Sequence, residues 1–148
     1  MGDEVRVSID ADADLVTARA EGRAMAERLG FPRPDPTLVA TAISEVARNI
    51  VVHAGRGEIV LRPLEEADRY GLLVIARDSG AGIRDVEAAL HDDYSGRGGL
   101  GLGLPGARRL MDDFDIASDA DTGTTVTMKK WRRRDELERL REERRRRG

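Results

Sequence analysis

Short segments in which apolar and polar residues alternate recur along the chain, and this alternation is the pattern of half-buried β-strands. The clearest example is Val5 to Ile9. We predict further strands at residues 58–64, 70–77, 114–118 and 124–130. The segment Asp-Thr-Gly at 121–123 is suited to the turn of a hairpin between the last two.

Other segments repeat apolar residues every three or four positions, which is the helical period. One such segment runs from a cap at Asp12 or Asp14 to about Leu29. The next is predicted to begin with Asp35 as its cap and Pro36 as its first helical residue, because proline is well tolerated there. That helix ends near residue 53, and shorter helices are predicted at 86–91 and 104–111.

Helices and strands are mixed along the chain without a strict βαβ repeat. We therefore predict an α/β fold of the α+β kind. It is a two-layer sandwich in which a mixed, mostly antiparallel sheet carries helices on one face. A length of 148 residues is the size of one domain.

Charge divides the chain into two parts. Residues 132–148 contain nine Arg and five acidic residues, a net charge of +4, so residues 1–131 carry −7 (−3 minus +4). We predict a domain at 1–131 and a tail at 132–148 that is helical or disordered. A contact between this tail and an acidic partner or nucleic acid stays an open alternative. The acidic body argues against nucleic-acid binding by the domain itself.

The composition limits where in the cell we expect the protein and which chemistry it can carry out. The chain has no cysteine, so it has neither a disulfide framework nor a thiolate metal site. It has no apolar run near the ~18 residues of a membrane span, and its N-terminus lacks the apolar core of a signal peptide. We therefore expect a cytoplasmic location.

Glu45 and Asn49 are four residues apart on the second predicted helix, so their side chains lie on one face at the flank of the apolar stripe. A carboxamide oxygen suits Mg²⁺, and a carboxylate one turn earlier can accept a proton from a hydroxyl. The alternative is an ordinary polar flank in which Glu45 contacts Arg48 or Asn49.

Asp78 ends a predicted strand that is apolar on both faces up to Arg77. A desolvated carboxylate needs a donor, such as a backbone amide or the exocyclic amine of adenine. Gly80 and Gly82 follow, and the lack of side chains there would let a flat base lie against the backbone. The alternative is an Asp-Ser-Gly turn in which Asp78 binds local backbone.

The segment from Ser95 to Gly106 contains six glycines in twelve residues. Its Gly-x-Gly-x-x-Gly spacings do not follow a predicted strand, so we do not interpret them as a dinucleotide fingerprint. A lid whose backbone amides meet phosphates, together with the N-terminus of the next helix, explains the glycines better. Arg97 would add positive charge near the γ-phosphate. A merely flexible loop is the alternative.

These three blocks resemble the N, G1 and G2 boxes of the GHKL superfamily, the Bergerat-fold ATP-binding domains that include gyrase and the histidine kinases. Within it, the sequences at 41–50, 98–106 and 109–112 resemble the RsbT switch kinases. The resemblance spans about residues 5 to 131. The Arg-rich tail departs from the family pattern.

The resemblance implies roles for individual residues. Glu45 would be the general base, Asn49 the Mg²⁺ ligand and Asp78 the acceptor of the adenine amine. Gly82 would pack beside the base, and Thr124 would support it through water, although a plain hairpin turn explains Thr124 equally well. The lid over the phosphates would be formed by Gly99, Leu100, Gly101 and Gly103. Apart from the resemblance, Arg97 and Gly98 are also predicted to bind the nucleotide.

The resemblance also implies an activity. The chain would be an ATP- and Mg²⁺-dependent serine/threonine kinase that phosphorylates STAS-domain proteins and then activates a PP2C-type phosphatase. One alternative is an anti-sigma factor of the RsbW type, which sequesters a sigma factor and phosphorylates its antagonist. A histidine kinase catalytic domain is a third interpretation, disfavoured because the chain lacks a dimerising helix pair with a phospho-acceptor His.

Overall fold

The computed structural model of the chain describes residues 3–80, 103–119 and 121–147. Its strands are β1 (Val5–Ile9), β2 (Gly57–Glu65), β3 (Arg69–Asp78), β4 (Asp113–Asp119) and β5 (Gly123–Arg133). Its helices are α1 (Asp12–Arg28), α2 (Asp35–His53), α3 (Gly103–Leu110) and α4 (Arg134–Arg147). The helix predicted at 86–91 lies outside the described residues.

The five strands form one sheet in the order β1-β2-β3-β5-β4, and every neighbouring pair is antiparallel. The long strand β3 lies at its centre, between β2 and β5. The register places Asp78 opposite Gly57, and Arg77 opposite Thr125. The predicted two-layer α/β sandwich with a mostly antiparallel sheet is confirmed.

The hydrophobic core lies between the sheet and the helices α1, α2 and α3. Because side chains alternate along a strand, Val7 and Ile9 of β1 point into this core while Arg6 and Ser8 are exposed. α1 and α2 pack closely at Gly22, where an added Cβ would lie 2.1 Å from the Cδ1 of Ile43. Fully buried side chains of this core include Ile9, Ile43, Ile59, Leu61, Leu72, Val74 and Met128.

The two predicted helix caps are wrong in detail. The residue before α1 is Ala11, and Asp14 in the first turn accepts hydrogen bonds from the amides of Asp10 and Ala11. The residue before α2 is Pro34, which has no side-chain cap. Asp35 is the first residue of α2, and its carboxylate binds Arg132 instead of the helix backbone.

The Arg-rich segment is tied to the rest of the chain by arginines. Strand β5 continues to Arg133, and α4 begins directly after it. Arg134 donates to the carbonyl of Glu66 at 2.8 Å and stacks over the ring of Tyr70. Arg141 donates to the carbonyl of Leu29 at 3.3 Å. The helical form of the tail agrees with one of the two forms expected, and the division between residues 131 and 132 stays a prediction.

Candidate active site

Glu45 is a buried carboxylate on α2, with only 3% of its surface exposed. Its Oε1 accepts a hydrogen bond of 2.7 Å from the backbone amide of Gly103, the first residue of α3. The first amides of a helix have no partner within the helix and carry partial positive charge, so an anion is favourable there. The carboxylate therefore holds the start of α3 against α2.

Asn49 is half-buried one turn after Glu45, about 6 Å further along the axis of α2. The described residues contain no cluster of three or more His, Cys, Asp or Glu that could hold a metal. These few donors do not suit a metal ion coordinated by protein side chains alone. The carboxamide of Asn49 does suit Mg²⁺, which commonly takes one or two protein oxygens and completes its shell with water and phosphate oxygens.

Asp78 is half-buried at the end of β3. Its Oδ1 accepts hydrogen bonds from the amide of Gly80 at 3.0 Å and from the amide of Thr124 at 3.3 Å. The local turn therefore forms, as the alternative interpretation expected. Its second oxygen, Oδ2, makes no hydrogen bond to the described residues, so the turn fixes the carboxylate and leaves one oxygen as an acceptor.

Close backbone contacts surround Asp78. A Cβ at Gly80 would lie 2.7 Å from the Cβ of Ala54, the residue that follows α2. A Cβ at Gly123 would lie 2.2 Å from the carbonyl oxygen of Asp78, and Gly123 has a φ of +86°. Glycine is required at both positions because real Cβ atoms do not approach other atoms so closely.

Thr124 follows Gly123 and is buried, with only 3% of its surface exposed. Its hydroxyl lies 2.8 Å from that of Ser118, directly opposite on β4. Ser118 is not among the site residues predicted from the sequence. The predicted hairpin pairs the strands that carry these two residues, so their proximity was available from the sequence.

The structure brings the predicted site residues together in two groups. Glu45 contacts Gly103, and Asp78 contacts Gly80 and Thr124. Helix α2 connects the groups, since it carries Glu45 and Asn49 and is followed by Ala54, which lies beside Gly80. The other predicted site residues lie outside the described residues, so their predictions stay untested. They are Gly82, Arg97, Gly98, Gly99, Leu100 and Gly101.

A surface groove of about 530 Å³ lies elsewhere, beside strand β4. Of the predicted nucleotide-site residues that the structure describes, none lines it. Its lining residues are Arg108, Asp112, Asp113, Phe114, Asp115, Thr127 and Lys129.

Residues 9–130 match the family described as the histidine kinase-like ATPase domain. The chain belongs to this family. It is 44% identical over 133 residues to the serine/threonine-protein kinase RsbT of Bacillus subtilis (strain 168), a match that covers 90% of this chain and 100% of that protein. It is also 31% identical over 106 residues to the anti-sigma F factor of Clostridium novyi (strain NT), covering 65% of this chain and 74% of the relative.

A solved structure supports the fold alone. A chain of the SiaB–SiaC complex from Pseudomonas aeruginosa superposes with a TM-score of 0.51 at 9% identity, covering 87% of this chain and 89% of that one.

The predicted GHKL membership is confirmed, and so is the predicted assignment to serine/threonine kinases of the RsbT type. The ATP-binding domain is the shared feature of the family. The anti-sigma alternative is a related interpretation within the same family. Among the helices that the structure describes, none combines the length and the apolarity needed to cross a membrane.

Proposed function

We propose that the chain transfers the γ-phosphoryl group of ATP to a serine or threonine of a STAS-domain protein in the cytoplasm. The match to the kinase RsbT over almost the whole chain supports the reaction type. The STAS-domain substrate rests on the resemblance to the RsbT switch kinases. The same resemblance leads us to propose that the chain afterwards activates a PP2C-type phosphatase.

Asp78 would select the adenine base. Two backbone amides hold its Oδ1, so the orientation of the carboxylate is set before a nucleotide arrives. Its Oδ2 would then accept from the exocyclic amine. A preorganised acceptor binds better because no conformational freedom remains to be lost.

Asn49 would hold Mg²⁺ through its carboxamide oxygen. When bound, this ion would neutralise charge on the phosphates, which is most of what phosphoryl transfer asks of an enzyme. The predicted lid residues before Gly103 would present backbone amides to the same phosphates, while the amide of Gly103 itself is donated to Glu45.

Glu45 would accept the proton of the attacking hydroxyl. The single observation that carries this proposal is its hydrogen bond to Gly103. That bond places a buried carboxylate at the N-terminus of α3, which begins within the glycine-rich segment. The base and the phosphate-binding backbone are therefore neighbours, as in-line transfer to a protein hydroxyl requires.

The test compares two substitutions of the base. Glu45→Gln keeps an oxygen that can accept from Gly103 but cannot serve as a base at neutral pH. We expect it to bind MgATP within about threefold of wild type and to lose transfer by about 100-fold or more. Glu45→Ala also removes the contact to α3, so we expect it to weaken MgATP binding as well.

Binding is measured by calorimetry, and transfer is measured with γ-labelled ATP and purified STAS-domain proteins. Ser44→Ala is the matched control, because Ser44 precedes Glu45 on α2 and, among the described residues, its hydroxyl donates only to the carbonyl of Ala40. Undiminished transfer by Glu45→Gln would remove the assignment of the base.

The anti-sigma F relative supports a second candidate, an anti-sigma factor of the RsbW type. The two candidates differ in their partner. In a pull-down with the intact chain, stable capture of a sigma factor would favour the second candidate. Capture of a STAS-domain protein or a PP2C-type phosphatase, with no sigma factor, would favour the first.

A further inference from the structure

Helix α3 is anchored at both of its ends. Its first residue, Gly103, donates its backbone amide to Glu45 of α2 at 2.7 Å. Its last residue, Leu110, accepts a hydrogen bond of 2.9 Å at its carbonyl from the Nζ of Lys130 on β5. A helix of eight residues is about 12 Å long, so the two contacts lie at opposite ends of one short, stiff element.

The charges at the two ends agree with the direction of the helix. The first amides of a helix carry partial positive charge and its last carbonyls carry partial negative charge, because neither group has a partner within the helix. The Glu45 carboxylate at one end and the Lys130 ammonium at the other therefore both stabilise α3. Lys130 is paired with Leu72, a core residue of β3, so its side chain leaves the sheet on the side of the helices. That side chain is only 13% exposed.

The residues next to Lys130 fasten the same end of α3 to the sheet. The amide of Asp112 donates to the carbonyl of Lys129 at 3.0 Å, and the Oδ2 of Asp112 accepts from the amide of Trp131 at 2.6 Å. The Oδ1 of Asp112 lies 3.8 Å from the Nζ of Lys130. Of these residues of β5, Lys130 is the one whose side chain bonds the helix itself.

We propose that Lys130 positions the base Glu45 by holding α3 in place from its far end. This inference rests on the proposed function, in which Glu45 accepts the proton of the acceptor hydroxyl. Lys130 is a positioning residue, since it acts through α3 and leaves the proton transfer to Glu45.

A small movement of α3 is enough to release the carboxylate. A shift of about 1 Å directly away from Glu45 would stretch its bond to Gly103 from 2.7 Å to about 3.7 Å, beyond hydrogen-bonding distance. Glu45 would then lose the donor that orients it. Proton transfer needs the base within hydrogen-bonding distance of the hydroxyl, so a base that is no longer oriented reacts more slowly.

The first test removes the ammonium and keeps the length of the side chain. The probes are MgATP and the STAS-domain protein that the wild-type chain phosphorylates. For Lys130→Met we expect kcat about tenfold lower and a KM for ATP within about threefold of wild type. Lys130→Arg should recover most of kcat, because a guanidinium also donates to the carbonyl of Leu110. The control Lys129→Met makes the same change of charge on the opposite face of β5 and should change kcat less than about twofold.

A double variant tests whether Lys130 acts through Glu45. Glu45→Gln has already lost the base, so adding Lys130→Met should lower its residual transfer by less than about twofold. A lysine that only caps α3 would lower the melting temperature without showing this dependence on Glu45. Losses that multiply, with about tenfold in either background, would overturn the inference.

The second test needs no acceptor protein. Amide hydrogen exchange, followed by nuclear magnetic resonance on the intact chain, reports on the bond from Gly103 to Glu45. We expect the Gly103 amide to exchange about tenfold faster in Lys130→Met and at the wild-type rate in Lys129→Met. Unchanged exchange in Lys130→Met would overturn the inference. MgATP binding weakened about tenfold or more in a calorimeter would also overturn it, because Lys130 would then act on the nucleotide site as a whole.

The two tests also separate this inference from the proposed function. If the wild-type chain phosphorylates no STAS-domain protein, the proposed function fails, and the catalytic meaning of the contact fails with it. Exchange at Gly103 would still decide whether Lys130 holds α3 against Glu45, so the two failures are distinguishable.

Discussion

The ion pair between Asp35 and Arg132 joins residues that are 97 positions apart in the chain. Asp35 begins α2 and only 1% of its surface is exposed, while Arg132 lies near the end of β5. Replacing Arg132 with Ala would leave the Asp35 carboxylate buried without its two guanidinium donors. We predict that this single change destabilises the domain severely.

The size of the effect follows from the burial of the two partners. Removing one partner of a buried ion pair costs about 3–5 kcal/mol. The Arg132 side chain keeps 28% exposure, and the N-terminus of α2 partly stabilises the carboxylate, so we expect the lower end, about 3 kcal/mol. For a domain of this length, that loss lowers the melting temperature by about 6–12 °C.

The measurement is urea unfolding followed by far-ultraviolet circular dichroism, with the fluorescence of Trp131, the single tryptophan, as a second probe. Arg133→Ala is the matched control. Its side chain is 72% exposed and lies 3.4 Å from that of Asp135, which is 73% exposed. Exposed pairs of this kind contribute little, so the control should change the free energy of unfolding by about 0.5 kcal/mol or less.

A third variant tests the physical cause. Adding Asp35→Asn to Arg132→Ala removes the uncompensated charge, so the double variant should recover part of the lost stability. If Arg132→Ala unfolds at the same urea concentration as Arg133→Ala, the pair contributes nothing and our reasoning is refuted. The same result would favour the predicted division at residues 131 and 132, because a chain that ends at Trp131 also lacks Arg132.

Two further predictions concern a glycine at the candidate site and a surface carboxylate. Gly123→Ala should destabilise the fold more than Gly55→Ala does. Of these two variants, only Gly123→Ala should weaken MgATP binding. Both glycines have a φ near +85°, but only at Gly123 would the new Cβ meet backbone, 2.2 Å from Asp78, so equal losses of stability would contradict the contact. The hydrogen bond from Arg62, together with the one from Arg6, lowers the pKa of Glu4 from its ordinary 4.5. The ionised Glu4 therefore stabilises the folded state above pH 4.5, and this stabilisation is lost as the pH falls through the folded pKa. Arg62→Ala should move that pKa back toward 4.5 in a carboxyl titration followed by nuclear magnetic resonance, and an unmoved pKa would remove the cause we assign.

Much of the candidate site was accessible from the sequence because its parts are short and local. The spacing of Glu45 and Asn49 on one helix follows from helical geometry alone. The place of Asp78 at the end of an apolar strand follows from the pattern of β3, of which Leu72, Leu73, Val74 and Ala76 are buried. The hairpin that brings Ser118 opposite Thr124 depends on a turn three residues long.

The group that each charged side chain binds could not be predicted from the sequence in this way. Asp35 has the sequence context of a helix cap, yet it is buried against Arg132. Glu45 and Arg48 have the spacing of a helical ion pair, yet Glu45 binds the amide of Gly103, which is 58 residues away. Residues distant in sequence compete for these groups, and only the packed chain decides which of them comes within hydrogen-bonding distance.

The sequence by itself therefore determined the strands, most of the described helices and the family, and it named the candidate site residues. These depend on periodicity and on motifs, and both are properties of neighbouring residues. The tertiary structure decided which carboxylate meets which donor, and it alone showed that the Arg48 Nε is buried without an acceptor among the described residues. Burial and long-range pairing arise only when the sheet and helices pack, because desolvation depends on every element that surrounds a group.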